Sequence, residues 1–358
     1  MVSFKKLAAI GFLSVGVLLG SGKVKAGSLD DYVIPLSNPV FNHDARNYTM
    51  IRPILLYQNL PSKIEFRSDI KEVLKKYGLY DAARKLDGDV KGAAVQFNIA
   101  INERLSIVAV KDGYIKCDPD TKLIGDGVGF ADLAAGIQYS PIYDPKNEFV
   151  LSVRGVYEAP VGAHGLYQGR GSGTINLSTH ILKGFNGAQI SGNLGFILPL
   201  DSKYKNTLFY HAWHLGYNVT PWLHPFVEFN HFYVLKSGDL DLKDVKALKK
   251  LGITSAEKLD AAISTLGANA VVSVLKDILH SSEKDKLVAA LASFSGCDLI
   301  NLGGKGNDEN RNYITGAVGF RIKPFKNVSF GFAYEFPLQD KEKGLLDNRF
   351  LVDAVIRF

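Results

Sequence analysis

Past residue 26 the chain has no run of about 18 apolar residues, the least a membrane-spanning helix needs, so no helix is expected to cross a bilayer. Cysteine is scarce, at two residues in 358, and neither falls in a CxxC spacing. With no HxH pair either, no metal site is expected. Positive charge is thinner than the formal net of +6 implies. Four lysines (Lys5, Lys6, Lys23 and Lys25) sit in residues 1–26 with no acid among them, leaving about +2 for the rest. Without a basic stripe carrying aromatics, nucleic acid is not an expected partner.

What is present begins with an export signal. Lys5 and Lys6 precede an apolar run from Leu7 to Leu19, and Val24-Lys25-Ala26 places small residues at the −3 and −1 positions of a cleavage site. Residues 1–26 therefore read as a signal peptide, and the alternative of a retained anchor would need a longer run. Residues 27–48 read as an N-terminal periplasmic segment. Export in turn permits a disulfide.

From residue 49 onward the pattern is one of alternation. Twelve strands are predicted, at 49–59, 92–102, 104–112, 129–140, 148–159, 173–183, 187–198, 206–219, 222–235, 311–323, 326–337 and 348–358. Six long connections alternate with five short ones, such as Gly184–Gly187 and Thr220–Pro221. Long loops on one side and short turns on the other mark an all-β, transmembrane up-and-down antiparallel barrel of about 12 strands. A soluble β-sandwich predicts no such asymmetry.

The strand faces orient the wall. In "AQISGNLGFIL" the even positions carry Ile190, Leu194 and Phe196, and the odd ones Gln189, Ser191 and Asn193. "VSFGFAYEF" divides likewise, with Phe330, Phe332 and Phe336 opposite Ser329, Ala333 and Glu335. The polar face is small and short of the Lys and Glu that solvate an outer surface. The bulky face is therefore expected to meet lipid and the small polar face a lumen. Trp213, Trp222, Tyr139, Tyr157, Tyr217 and Tyr233 fall near strand ends, where an aromatic girdle belongs. Strands 1 and 3 alternate too poorly to assign.

Loop 236–310 is too long to be structureless. Thr254 with Glu257 and Ser282 with Asp285 fit capping boxes, and apolar residues recur at helical spacing from Leu259 to Phe294. Three or four short helices are expected there as an extracellular cap, with a smaller helical element at 69–86. Cys117 and Cys297 fall in loops on the same side and are candidates for a disulfide.

The segments "GVGFADLAAGIQYS", "VRGVYEAPVGAHGLYQGRG", "FVEFNHFYV", "DLINLGGKGNDENRNYITGAVGFRI", "FGFAYEFPL" and the final "NRFLVDAVIRF" occur in this order. Over roughly residues 125–235 and 298–358 the chain resembles an outer-membrane barrel family labelled for the meta-pathway of phenol degradation. The resemblance implies a transporter-like role for aromatic compounds. The helical insertion at about 240–296 departs from the compact loops of that family.

The lumen face carries the candidate site. Arg154, Glu158, Glu228 and Glu335 point inward and are expected to form the constriction. Arg321, Asp353 and Arg357 point inward nearer the periplasmic side, and register across Thr220–Pro221 sets His214 opposite Glu228. Such charges either line a pore or knit into a filling that blocks it. The same register sets His211 opposite His231 on the outward face, where no serine or carboxylate joins them, and His180 faces inward without an identifiable partner. A Ser-His-acid arrangement is not found, and no catalysis is expected. The glycine-rich "GDGVGF" and "GRGSG" do not open a helix after a strand, so no nucleotide or other cofactor is expected.

The sequence thus describes a bacterial outer-membrane channel or facilitator for small apolar or aromatic solutes. The alternative is a closed barrel acting as a receptor, adhesin or scaffold that displays the helical insert. Its partners are expected to be outer-membrane lipid and lipopolysaccharide, a small-molecule solute, and the barrel assembly machinery. The terminal Phe358 after alternating apolar residues resembles the signal which that machinery reads.

Overall fold

The computed structural model describes residues 28–358 apart from Lys122, Gly125 and Cys297. The signal-peptide reading and one partner of the expected disulfide therefore lie outside the described residues. Twelve strands close a single antiparallel barrel. They are β1 (Met50–Asn59), β2 (Gly88–Asn102), β3 (Leu105–Lys111, continued as Gly113–Pro119), β4 (Gly127–Phe130, continued as Leu133–Asp144), β5 (Phe149–Ala159) and β6 (Thr174–Phe185). The others are β7 (Ala188–Pro199), β8 (Thr207–Tyr217), β9 (Leu223–Lys236), β10 (Asn312–Phe325), β11 (Val328–Pro337) and β12 (Asn348–Arg357). β1 pairs with β2 on one side and with β12 on the other, Met50 opposite Arg357 and Asn59 opposite Asn348. Closure leaves no free edge. Phe358 takes part too, its amide donating to the Thr49 carbonyl at 3.0 Å.

Side-chain size sorts the two faces. Leu55, Phe130, Ile137 and Phe330 are each at least half exposed on the outside, whereas Arg52, Gln138, Glu228 and Asp353 are buried inside. An apolar exterior around a polar interior inverts the order of a soluble protein and is that of a lipid-embedded wall. The short turns use residues that accept a left-handed backbone: Asn186 and Gly187 have φ of 50° and 81° between β6 and β7, as a two-residue hairpin turn requires.

Two strands run further than alternation predicts. Residues 113–128 read as a loop in sequence, but Gly113–Pro119 continues β3 by pairing with β2, and Gly127–Phe130 pairs in turn with Gly113–Pro119. The register shifts near Lys111 and the strand break at Ala131–Asp132 interrupt the alternation there, which is why it fades.

The long-loop end is roofed by a helical cap. The first loop contributes α1 (Ser68–Lys76) and α2 (Tyr80–Ala83). The large insert contributes α3 (Lys246–Lys250), α4 (Ala256–Leu266), α5 (Ala268–Leu279) and α6 (Lys284–Leu291). Ile70 and Leu74 of the first loop join Leu259, Ile263, Leu287 and other residues in one apolar core. Neither expected capping box forms. Ser255 caps α4 instead, accepting from the Lys258 amide at 3.4 Å; α6 starts one residue later than expected, after Glu283, without a side-chain cap, and Asp285 pairs with Arg170.

Candidate functional site: the barrel lumen

The largest departure from the sequence reading concerns the segment assigned outside the barrel, at 27–48. Its described part lies within the lumen. The chain climbs from Tyr32, turns at Asn38–Asn42, and descends to Tyr48 before entering β1. At the turn, Asn38 has φ of 51° and its carbonyl accepts from the Phe41 and Asn42 amides at 3.1 and 2.9 Å. Such a segment has no ladder of its own, so its backbone groups need partners from the wall. Inward polar side chains supply them.

Near the short turns, Asp353 sits between two guanidinium groups. Arg52 Nε and Arg321 Nη2 each reach Asp353 Oδ2 at 2.6 Å, with all three side chains fully buried. Each arginine also donates to the segment, Arg321 Nε to the Ile34 carbonyl at 2.8 Å and Arg52 Nη2 to the Pro35 carbonyl at 2.7 Å. Beside them Arg357 stacks on the Tyr48 ring, 4.1 Å from its centroid. Gln189 holds Val33 from both sides, accepting from its amide at 2.8 Å and donating to its carbonyl at 2.6 Å.

Halfway up, Glu228 lies opposite His214 as the register predicts, with His214 Nδ1 at 2.7 Å. Its carboxylate also accepts from the amides of Leu36 and Ser37, at 2.9 and 2.5 Å. The descending arm is held by Arg154 and Gln138: Arg154 Nε donates to Gln138 Oε1 at 2.9 Å, and Gln138 Nε2 to the Ala45 and Arg46 carbonyls at 3.2 and 3.1 Å.

Near the long loops the insert reaches down. Asp298 meets Arg349 of β12 at 2.5 Å, and Arg349 also binds Glu335 at 3.1 Å. Across the lumen, Glu158 takes Lys205 at 2.7 Å and Lys111 at 3.2 Å, while Asp132 takes Lys205 at 3.3 Å. Phe41, at the top of the N-terminal segment, faces Asp298 and Leu299 across a cavity of only about 20 Å³. A second lumen cavity, of about 40 Å³, has Gln58, Cys117, Gly296 and Asp298 in its lining. Each is large enough for no more than one to a few waters. A segment thus enters the lumen from each end.

The eight lumen residues singled out from sequence all face inward, but they form no single ring. Arg154 turns to Gln138, Glu158 to two lysines, Glu228 to the N-terminal segment and Glu335 to Arg349. Arg52, Gln138 and the lysine cluster escaped the sequence reading, since β1 and β3 alternate poorly and glutamine draws no attention as a site residue; Gln189 was placed on the inward face but not singled out as a site residue. His180 has a partner after all: Ser178 Oγ lies 2.8 Å from its Nε2. Its Nδ1 has no partner among the described residues, so no acid completes a triad. His211 and His231 pair outside at 3.1 Å. Cys117 is buried, without a disulfide partner among the described residues.

No family model matches the chain, the phenol-degradation barrels included, and no curated protein sequence matches it. Solved structures do. An outer membrane channel from Pseudomonas putida F1 superposes with a TM-score of 0.53 at 10% identity, covering 91% of this chain and 100% of that one. The NanC porin gives a TM-score of 0.42 at 4% identity, covering 87% and 100%. The first likeness is one of fold: the chain is built as a closed antiparallel β-barrel of the kind that channel has.

Proposed function

We propose that this protein is an outer-membrane channel whose resting lumen is closed by its own N-terminal segment, and that it passes small apolar or aromatic solutes without chemical catalysis. The observation that carries the reading is the mismatch between the lumen and its filling. Arg154 Nη1, His214 Nε2, Asn230 Oδ1 and Asp353 Oδ1 are buried with no hydrogen bond among the described residues. A permanent filling would satisfy such groups or replace them by apolar ones, because buried ion pairs add little stability over a well-packed apolar core. A wall that is hydrated whenever the segment leaves needs them as they are. The segment is held by hydrogen bonds, by ion pairs of Asp30 with Lys326 and Arg357, and by apolar contacts of Tyr32, Ile34, Leu36 and Phe41, with no covalent cross-link to the wall among the described residues.

Single-channel recording and liposome uptake of a small aromatic solute, with residues 30–45 deleted and separately with 240–296 deleted, test this. Conductance that rises sharply in the first deletion supports the gate. No flux in the intact protein or in either deletion overturns the channel reading. It would leave the second reading, a closed barrel displaying its cap, which the filled lumen and the single apolar core of the cap favour.

A further inference from the structure

The cap contains a cleft that the lumen reading does not use. It opens between α1–α2 of the first loop and α4–α6 of the insert, with a volume of about 600 Å³, within the range that takes a small organic ligand. Its floor is made of buried Ile70, Leu74, Leu248 and Leu259. Its mouth is made of half-exposed Ala83, Val272, Leu275 and Leu279. Apolar surface left open to water above a finished core is costly unless something covers it.

The rim gives the occupant its charge. Lys85, Lys276, His280 and Thr121 line the cleft, and no Asp or Glu does. Among the neighbouring cations of the first loop, Lys76 pairs with Asp260 at 2.7 Å, Arg84 with Glu342 at 2.5 Å and Lys71 with Glu65, while Lys75 lies over the Tyr80 ring. The exposed Lys85 and Lys276, on the two sides of the cleft, form no ion pair among the described residues. An apolar trough with two unpaired ammonium groups at its mouth fits a molecule with an apolar body and an anionic head.

We infer that the cap cleft between the first loop and the insert binds a single-tailed amphiphile with a carboxylate head, its tail on Leu74, Leu259 and Leu275 and its head between Lys85 and Lys276. The site is independent of whether the barrel conducts. The test uses the full chain in lipid nanodiscs, with empty nanodiscs as the partition control and dansyl-labelled undecanoate as the probe. Decanoate, 1-decanol and decyltrimethylammonium are the competitors.

Saturable binding above the empty-disc signal is expected, with decanoate displacing the probe best. Reversing both charges, Lys85→Glu with Lys276→Glu, weakens decanoate by about tenfold or more and leaves decanol unchanged. Leu275→Trp, filling the trough, removes both. Absence of saturable binding, or decanoate indifferent to the charge reversal, overturns the inference. Should a variant fail the heat-modifiable mobility test for a folded barrel, the native protein decides alone, since equal displacement by decanoate and decyltrimethylammonium is fatal to the site. Loss of this site with flux intact leaves the channel reading standing, and binding without flux does the converse.

Discussion

The amide of Leu36 donates to Glu228 Oε1 at 2.9 Å, and the same oxygen takes His214 Nδ1 at 2.7 Å. One wall carboxylate thus joins the barrel to the segment that closes it. Hydrogen bonds to a charged group are worth about 1.5–3 kcal/mol each, so Glu228→Gln weakens the closed state without removing bulk. Because about 1.4 kcal/mol is tenfold in a population, open events in single-channel records are expected to rise about tenfold or more. An unchanged closed-state dwell time would show that the segment is held elsewhere.

Asp353 is a different case, because its two arginines depend on it. Asp353→Asn leaves Arg52 and Arg321, both fully buried, without their counter-charge. Breaking a buried pair in this way costs about 3–5 kcal/mol, whereas replacing all three charges with apolar residues of similar volume is near neutral. Urea unfolding in lipid should place Asp353→Asn far below the native protein and an Arg52→Met, Arg321→Met, Asp353→Leu variant close to it. Equal losses in the two would mean that the triad acts through its contacts to Ile34 and Pro35 and not through charge.

The barrel was legible because its signal is periodic and repeated in most of its twelve strands, and because lipid and lumen demand opposite chemistry on alternate residues. His214 facing Glu228 followed from one tight turn. The filling was not legible, for a physical reason. Residues 28–48 have neither helical nor strand period, since their backbone is satisfied by wall side chains some hundred residues or more away, such as Gln138, Gln189 and Arg321. Alternation says that Arg321 faces inward; it says nothing of the Ile34 carbonyl waiting there.

Glycines of the inner face record that filling in a form open to test. A Cβ at Gly184 would sit 2.1 Å from the Tyr32 ring, which occupies the space and donates to Glu148 Oε2 at 2.6 Å. Gly184→Ala therefore expels Tyr32 from its seat while leaving β6 a strand. The expected outcome is a folded, heat-modifiable barrel with faster proteolysis near residue 32 and more frequent opening. A variant as closed and as protected as the native protein would count against the lumen position of Tyr32.

The two cysteines admit a simpler check. Cys117 lines the same small cavity as Gly296 and Asp298, the residues flanking Cys297 in sequence. A Cys117–Cys297 disulfide would tie β3 to the end of the insert and restrain the cap. Thiol labelling of the denatured, unreduced protein is expected to find no free thiol, and two after reduction. Two free thiols before reduction would dismiss the bridge.

The cap should be the acid-sensitive part of the molecule. Arg67 joins the first loop to the insert, pairing with Asp69 at 2.6 Å and Asp241 at 2.7 Å. Burial alone would raise the Asp241 carboxyl, but the hydrogen bond and charge of Arg67, with the Leu242 amide and Lys305, together outweigh it and hold the group below the ordinary carboxylate range. Asp69 is lowered in the same way, and Glu65 is lowered by Lys71 and Tyr80 against the same burial effect. A carboxylate with a depressed pKa in the folded state contributes stability that is complete above its unfolded value, about 4, and is lost as pH falls through the folded one. Cap stability is therefore flat through neutrality and declines in acid, while the strand ladders carry no such dependence. Hydrogen exchange, corrected for intrinsic rates, should show loops 60–87 and 237–311 losing protection below about pH 4 before any barrel strand does. Arg67→Met should weaken the cap at neutral pH and flatten its acid response. Strands opening first, or an acid response untouched by Arg67→Met, would place the sensitivity in the buried lumen charges instead.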